Sequence, residues 1–197
     1  SEPKIREFLQ NMGVQISTGE VSNLLIQKQG GFHAESEAVY EAGLRSSPWQ
    51  QVDHTETRVD GQSQHCQVVC NPVYTAYHTR PFKDRLSVLD VLRQGRVRIF
   101  RLNQEALAIL EQVPLSKAAQ TLLPQWQSED VWEEAAFVQR LDTALPNLNS
   151  QQRTAILGAA AVAAYHAEQG VPIVGTLVCD DASVFHWLTR ARMLCWV

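Results

Sequence analysis

The feature that most constrains the fold is a run of three strand-like segments between Trp49 and Arg80. The first, "WQQVDHTETRV", is rich in β-branched residues and ends at Asp60-Gly61, a dipeptide typical of a two-residue hairpin turn. "QHCQVVCN" follows and ends at Asn71-Pro72, and "VYTAYHT" completes the run. Because such short connections join antiparallel strands, the sequence predicts a three-strand meander.

Helical patterns precede this run. Residues 3–46 predict three helices, with Gly13 as a C-cap of the first and Ser17 or Thr18 as the N-cap of the second. Two short helices joined by a turn are typical of a DNA-reading helix-turn-helix and also of an ordinary packed hairpin. The sequence leaves both readings open.

After the meander the predicted order is helix, strand, helical block, strand and helix. The segments are "KDRLSVLDVLRQG", "RVRIFRLN", residues 104–170 (with one helix start at Ser128 and another at Ser150), "VPIVGTLVCDD" and "SVFHWLTRARML". This order predicts an α/β chain with a mixed sheet and flanking helices. We expect an N-terminal helical segment over residues 1–48 and a core over residues 49–197, with a helical insertion at 104–170.

Composition narrows the class of protein. With 45% hydrophobic and 19% charged residues, the chain is typical of a globular protein. A net charge of −4 argues against binding by bulk positive charge, although a local basic face is compatible with it. No apolar run reaches the length of a membrane span, and the N-terminal residues lack the pattern of a signal peptide. Four irregularly spaced cysteines favour a reducing cytoplasm.

Acidic residues mark two of the predicted strands. Asp53 lies within the first strand, and Asp180 and Asp181 end the strand "VPIVGTLVCDD". If these two strands are neighbours, their carboxylates meet at one end of the sheet as ligands for Mg²⁺. Alternatively, Asp53 faces solvent and the Asp pair caps a helix.

Cysteine and histidine residues offer weaker candidates. His65, Cys66 and Cys70 lack a second pair at zinc-site spacing, so the two cysteines are predicted to face the core. Cys179 and Cys195 are also predicted to be core thiols. His166 is predicted to lie on a helix surface.

Around its acidic residues and in several other stretches, the chain resembles the catalytic core of bacterial DDE insertion-sequence transposases, in the branch around insertion sequence sixty-six. The resemblance is carried by "WQQVDHTETRVDGQSQHCQVVCNPVYTAYHTRPFKDRLSVLDVL", "LNQEALAILE", "LVCDDASVFHWLT", "LCWV" and the helix "ISTGEVSNLL". It implies an RNase H-like fold and metal-dependent cleavage and joining of DNA at transposon ends. Asp53 matches the first catalytic Asp, and Asp180 matches the second, with Asp181 beside it.

The resemblance also implies cofactors, partners and a cellular location. Two Mg²⁺ or Mn²⁺ ions would be held by the acids, and the partners would be the transposon ends and target DNA, bound by a homodimer in the nucleoid of a bacterial cytoplasm. No membrane is implied. Phosphate contacts are expected from a basic cluster whose alternative role is a solvated helix face: Arg80, Lys83, Arg85, Arg96 and Arg98, with Arg93 and Arg101 nearby.

The chain departs from the family pattern in two places. His54 stands where the family commonly has a second acidic residue. The third catalytic acid, a Glu, is expected beyond Cys195-Trp196-Val197, so we expect a piece of a longer protein or a truncated relative. Two further functions therefore stay open: a non-catalytic domain that binds DNA or a partner, and an unrelated α/β nuclease-like fold.

Overall fold

The computed structural model describes residues 2–27 and 29–195. The chain divides into two compact units, Ser1–Tyr40 and Glu41–Val197. Its helices are α1 (Glu2–Asn11), α2 (Thr18–Ile26), α3 (Gln29–Arg45), α4 (Arg85–Leu92), α5 (Gln104–Leu110), α6 (Lys117–Leu122), α7 (Glu134–Ala144) and α8 (Ser150–Ala167). Its strands are β1 (Trp49–Val59), β2 (Gln62–Asn71), β3 (Tyr74–Arg80), β4 (Ile99–Phe100), β5 (Trp132–Glu133), β6 (Thr176–Cys179) and β7 (Ala191–Leu194).

The first unit contains α1, α2 and most of α3. Gly13 follows α1 with φ +85°, a left-handed conformation that favours glycine and ends the helix. Ser17 caps α2 in a capping box, because its hydroxyl accepts from the Glu20 N–H while the Glu20 carboxylate accepts from the Ser17 N–H. The predicted helices of this region are confirmed for the described residues.

The second unit is a mixed α/β structure built on a five-strand sheet of order β3-β2-β1-β6-β7. Strands β1, β2 and β3 form the predicted antiparallel meander, and β6 and β7 continue the sheet as parallel strands on the other side of β1. Asp60 and Gly61 connect β1 to β2 with φ values of 51° and 78°, as the turn signal predicts.

A buried polar network fixes the start of β1. The Gln50 side chain is fully buried and donates toward the carbonyls at the end of α3, of which the Leu44 oxygen lies at 3.3 Å. Its Oε1 accepts from Asn71 Nδ2 at 3.3 Å and from the Tyr74 hydroxyl at 2.9 Å. The network joins α3 to all three strands of the meander and so sets the position of Asp53, three residues farther along β1.

Helix α8 forms the centre of the helical layer. Every residue from Ala155 to Tyr165 is buried, which is typical of a helix surrounded by other elements. It packs against α4, α5 and β4. Tyr165, near the C-terminal end of α8, binds the segment that leads into β6. Its hydroxyl donates to the Pro172 carbonyl and accepts from the Val174 N–H.

Three predicted elements differ from the structure. The segment "RVRIFRLN" contributes only β4, which pairs with β5 in a separate two-strand sheet. The helix predicted over "SVFHWLTRARML" is wrong: Ser183–Phe185 is a short 3-10 turn, and β7 follows because its backbone pairs with the edge of β6. The helix predicted from Ser128 begins later, at Glu134. Non-local strand pairing overrides local helical spacing in this part of the chain.

Among the described residues, we find no helix that combines the length and the apolar character needed to cross a membrane.

Candidate functional site

The candidate site lies where β1 and β6 run side by side. The two strands are parallel, with Gln51 paired to Val178, so Asp53 and Asp180 each follow two residues after that pair. Val52 and Cys179, one residue earlier, are buried. Because side chains alternate along a strand, the two acids share the opposite, exposed face. The prediction that the two acid-bearing strands are neighbours in the sheet is confirmed.

Each carboxylate of this pair is oriented by a backbone hydrogen bond. Oδ1 of Asp53 accepts from the His54 N–H at 2.7 Å, and Oδ1 of Asp180 accepts from the Ala182 N–H at 2.9 Å. Within the part of the chain that the structure describes, neither carboxylate forms an ion pair. The site therefore presents two adjacent negative charges to solvent.

Asp181 has a different environment from its neighbour. Its carboxylate lies 3.0 Å from Arg192 Nη2 on β7 and 3.7 Å from His186 Nε2. The ion pair with Arg192 links the end of β6 to β7. The role of Asp181 as a metal ligand stays a prediction, and the structure shows it as the partner of a cation.

His54 lies behind the carboxylate pair, on the buried face of β1. Its ring packs against Phe185 with 5.4 Å between ring centroids. Burial lowers the pKa of His54, although the Asp180 and Asp53 carboxylates act in the opposite direction. The position where the resembled family has an acid is thus a half-buried imidazole in the electrostatic field of both acids.

The site residues fit a hard divalent cation as a half-site. Mg²⁺ is commonly held by one or two carboxylates and takes its other ligands from water and substrate phosphates. Asp53 and Asp180 would supply those carboxylates. No group of three His, Cys, Asp or Glu side chains arranged for a metal occurs among residues 2–27 and 29–195.

The cysteines and His166 are placed differently from their predictions. Cys66 and Cys70 are half-buried and share the face of Asp53, because they pair with Thr55 and Gln51 in the β1–β2 register. Cys195 is exposed, whereas Cys179 is buried as predicted. His166 is a packed residue and not a surface one: Nδ1 lies 2.6 Å from Glu105 Oε1 and Nε2 lies 3.0 Å from the Leu188 carbonyl.

Part of the predicted basic cluster is committed to carboxylates. Arg98 forms a bidentate pair with Asp90 and reaches Glu134 at 3.2 Å. The buried Arg93 pairs with Glu168 at 2.7 Å, and Arg96 lies 4.0 Å from the same carboxylate. Arg101 pairs with Glu129. These contacts reduce the positive charge that this cluster offers to a phosphate.

The remaining three members form no ion pair with a carboxylate among the described residues. Lys83 is exposed, and its charge acts to lower the pKa of His54, which places it in the electrostatic neighbourhood of the site. Arg80 ends β3 opposite His65 of β2. Arg85 donates to the backbone carbonyls of Ser183 and His186 in the loop that follows Asp180.

One residue of that loop carries no sequence signal and was missed. Trp187 has φ +71°, which is rare for a bulky side chain, and the Arg85 guanidinium lies 4.2 Å from its ring centroid. A pattern of residue types cannot show backbone strain. Only the backbone conformation marks Trp187 as unusual.

Comparisons of the chain with models of protein families, with curated proteins and with solved structures found no match.

Proposed function

We propose that this chain is the RNase H-like core of a DDE insertion-sequence transposase of the branch around insertion sequence sixty-six, acting in metal-dependent cleavage and joining of DNA. The observation that carries the proposal is the in-register pair Asp53 and Asp180 on parallel neighbouring strands. The mixed sheet, with its meander followed by parallel strands, is compatible with the fold that the resemblance implies.

The electrostatics of the site support a cation. Two carboxylates on one face of a sheet repel each other, and neither forms an ion pair within the described residues. A bound Mg²⁺ or Mn²⁺ would supply charge stabilisation for the attacking and leaving oxygens of a phosphodiester. Asp53 and Asp180 would hold the ions, and their backbone hydrogen bonds orient the carboxylates.

Substrate binding is proposed for the basic residues that are not committed to ion pairs. Lys83 is exposed near the site, and Arg80 lies at the end of β3. These residues would contact DNA phosphates, and such contacts weaken as the salt concentration rises. Transposon ends and target DNA are the proposed ligands, bound by a homodimer.

The test is Mn²⁺ binding to the purified chain, followed by electron paramagnetic resonance of the free ion. Wild type is expected to bind, and Asp53→Asn and Asp180→Asn are each expected to lose binding at least tenfold. Asp181→Asn is the matched control, because the Asp181 carboxylate is paired with Arg192, and it is expected to retain most of the binding. Equal affinity in wild type and both single variants would overturn the metal site.

DNA affinity, measured on the same variants by fluorescence anisotropy, separates catalysis from binding alone. Asp53→Asn is expected to preserve or raise the affinity, because it removes a negative charge near phosphate. If the chain bound DNA in a salt-dependent way without any Mn²⁺ dependence, a non-catalytic DNA-binding domain would replace the enzyme core as the function.

A further inference from the structure

A second site lies between the helical block and the loop that follows Asp180. A cavity of about 390 Å³ opens there beside Trp187. Its polar and aromatic walls come from the loop, from α4, from α8 and from the segment after α5: Arg85, Gln112, Gln151, Thr154, Ser183 and Trp187. No carboxylate is among the residues that line it. The walls combine an aromatic ring, a guanidinium, two amides and two hydroxyls.

The backbone at Trp187 is held in its unusual conformation from both sides. The carbonyl of His186 accepts from Arg85 Nε at 2.9 Å, and the carbonyl of Leu188 lies 3.0 Å from His166 Nε2. Leu188 itself is fully buried. A strained residue persists only when its surroundings determine it, and such residues cluster at functional sites. Two side chains from different helices hold this one in place.

The Arg85 side chain packs against the Trp187 ring. Its guanidinium passes close to Gly158 of α8. A Cβ added at Gly158 would lie 3.1 Å from Arg85 Nη1. The guanidinium then stacks on the Trp187 ring and donates to the loop backbone. The guanidinium covers one face of the Trp187 ring, so a nucleobase would stack on the opposite face, as bases do on aromatic side chains of nucleic-acid-binding proteins.

We propose that this cavity binds an unpaired nucleobase of the DNA substrate, stacked on the face of the Trp187 ring that Arg85 does not cover. The proposal rests on the proposed function, and it adds a subsite for the bound strand. The amides of Gln112 and Gln151 and the hydroxyls of Thr154 and Ser183 offer both donors and acceptors to the edge of a base. Enzymes that act on DNA read extruded bases by this combination of stacking and edge hydrogen bonds.

The location of the cavity suits a substrate held at the acids. Ser183 follows Asp180 by three residues, so their Cα atoms lie within about 11 Å of each other. That distance corresponds to roughly three stacked steps of one strand, at about 3.4 Å per step. A strand whose phosphate is at the acids can therefore place a nearby base in the cavity.

The test uses a single-stranded oligodeoxynucleotide that contains one 2-aminopurine, whose fluorescence is quenched when the base stacks. Wild type is expected to quench it in EDTA, without metal. Trp187→Ala is expected to remove the quenching and weaken binding by roughly 5- to 150-fold, the range for losing one base–aromatic stack. Trp132→Phe is the control, because Trp132 stacks with Arg140 at 4.8 Å and does not line this cavity.

A second variant covers the case in which Trp187→Ala fails to fold. Thr154→Phe fills the cavity from the exposed side of α8 and leaves the loop backbone intact. It is expected to remove the quenching as Trp187→Ala does. Full quenching in a folded Thr154→Phe variant, or equal quenching in wild type and a folded Trp187→Ala variant, would overturn the subsite.

The readouts keep this proposal separate from the proposed function. Asp53→Asn is expected to lose Mn²⁺ binding and to keep the quenching, because the stack needs no metal. Loss of quenching in Trp187→Ala with Mn²⁺ binding intact would support both proposals. Quenching that depends on Trp187 in a chain that binds no Mn²⁺ would support the base subsite and overturn the metal site alone.

Discussion

The hydroxyl of Tyr74 donates a 2.9 Å hydrogen bond to Oε1 of Gln50, joining β3 to the first residues of β1 across the intervening β2. Asn71 of β2 donates to the same oxygen. A fully buried amide of β1 is thereby satisfied by two neighbouring strands and the end of α3. The network fixes β1 relative to β2, β3 and the end of α3, and so positions the strand that carries Asp53.

Gln50→Leu is expected to lower the free energy of unfolding by about 1–3 kcal/mol. The variant removes the oxygen that accepts from the Tyr74 hydroxyl, whereas the Asn71 amide keeps the Gly43 carbonyl and the Ser46 hydroxyl as acceptors. A buried polar group that loses such a hydrogen bond costs about 1–3 kcal/mol. Urea denaturation measures the change. Gln62→Leu, at the exposed start of β2, is the control and should change stability by less than about 0.5 kcal/mol. Similar values for the two variants would contradict the network.

The Arg93–Glu168 pair is expected to behave as a buried ion pair. Arg93 is 4% exposed and Glu168 is 15% exposed, so Glu168→Ala leaves a buried cation without its 2.7 Å partner. We expect a loss of about 3–5 kcal/mol in unfolding free energy. The exposed pair Arg153–Asp142 is the matched control, and Asp142→Ala should cost no more than about 1 kcal/mol. Equal losses of unfolding free energy in Glu168→Ala and Asp142→Ala would show that burial does not determine how much an ion pair stabilises this protein.

Stability is expected to fall as the pH drops from about 6.5 to about 4. Burial lowers the pKa of His78 to about 4, with the Arg80 charge adding to the effect, and burial also lowers the pKa of His54. The unfolded state therefore binds more protons than the folded state in this window, so stability is present above pH 6.5 and is lost on acidification. Urea midpoints between pH 4 and pH 7.5 should show this slope.

His78→Gln is the variant that tests the source of the slope. It removes the group with the larger shift, so the midpoint should depend less steeply on pH between 4 and 6.5. His33→Gln, on the exposed part of α3, is the control and should leave the slope unchanged. A slope that is as steep in His78→Gln as in wild type would assign the pH dependence to other groups.

The parts of this structure that follow from sequence are those with local causes. The Asp60-Gly61 turn and the Ser17 cap are encoded within a few residues. The proximity of Asp53 and Asp180 follows from strand order alone, although the chain separates them by the whole helical block. Topology brings the two positions near each other because each lies two residues beyond the Gln51–Val178 pair of parallel strands.

The parts that sequence does not predict depend on distant partners. β7 has apolar residues at helical spacing, yet it forms a strand because the edge of β6 is available for pairing. Arg93 belongs to a basic run in the sequence, but the structure pairs it with Glu168, 75 positions later. The strain at Trp187 arises from Arg85 and His166, which no local pattern connects to it. The number of basic residues available to DNA phosphates therefore cannot be counted from sequence alone.

Without metal, repulsion between the Asp53 and Asp180 carboxylates is expected to lower the unfolding free energy. Bound metal is expected to raise it. Like charges directly opposite each other on neighbouring strands destabilise a sheet, so Asp53→Asn or Asp180→Asn should raise the unfolding free energy by about 0.2–1 kcal/mol in EDTA. Mn²⁺ at 100 times its dissociation constant should stabilise wild type by about 2.7 kcal/mol. For a chain of this length that corresponds to a rise of roughly 5–11 °C in the thermal midpoint.

The same melting experiment shows whether both acids hold the ion. In Asp53→Asn and Asp180→Asn the midpoint should respond to Mn²⁺ by less than a third of the wild-type shift, because one of two ligands is gone. Asp181→Asn should keep most of the shift, since the Asp181 carboxylate is paired with Arg192 and Asp53 and Asp180 both remain to hold the ion. If either single variant kept the full Mn²⁺-induced rise in the melting midpoint, the carboxylate that it lacks would not be a ligand of the ion. A gain in stability in EDTA together with loss of the Mn²⁺ response is the result that only a shared metal half-site explains.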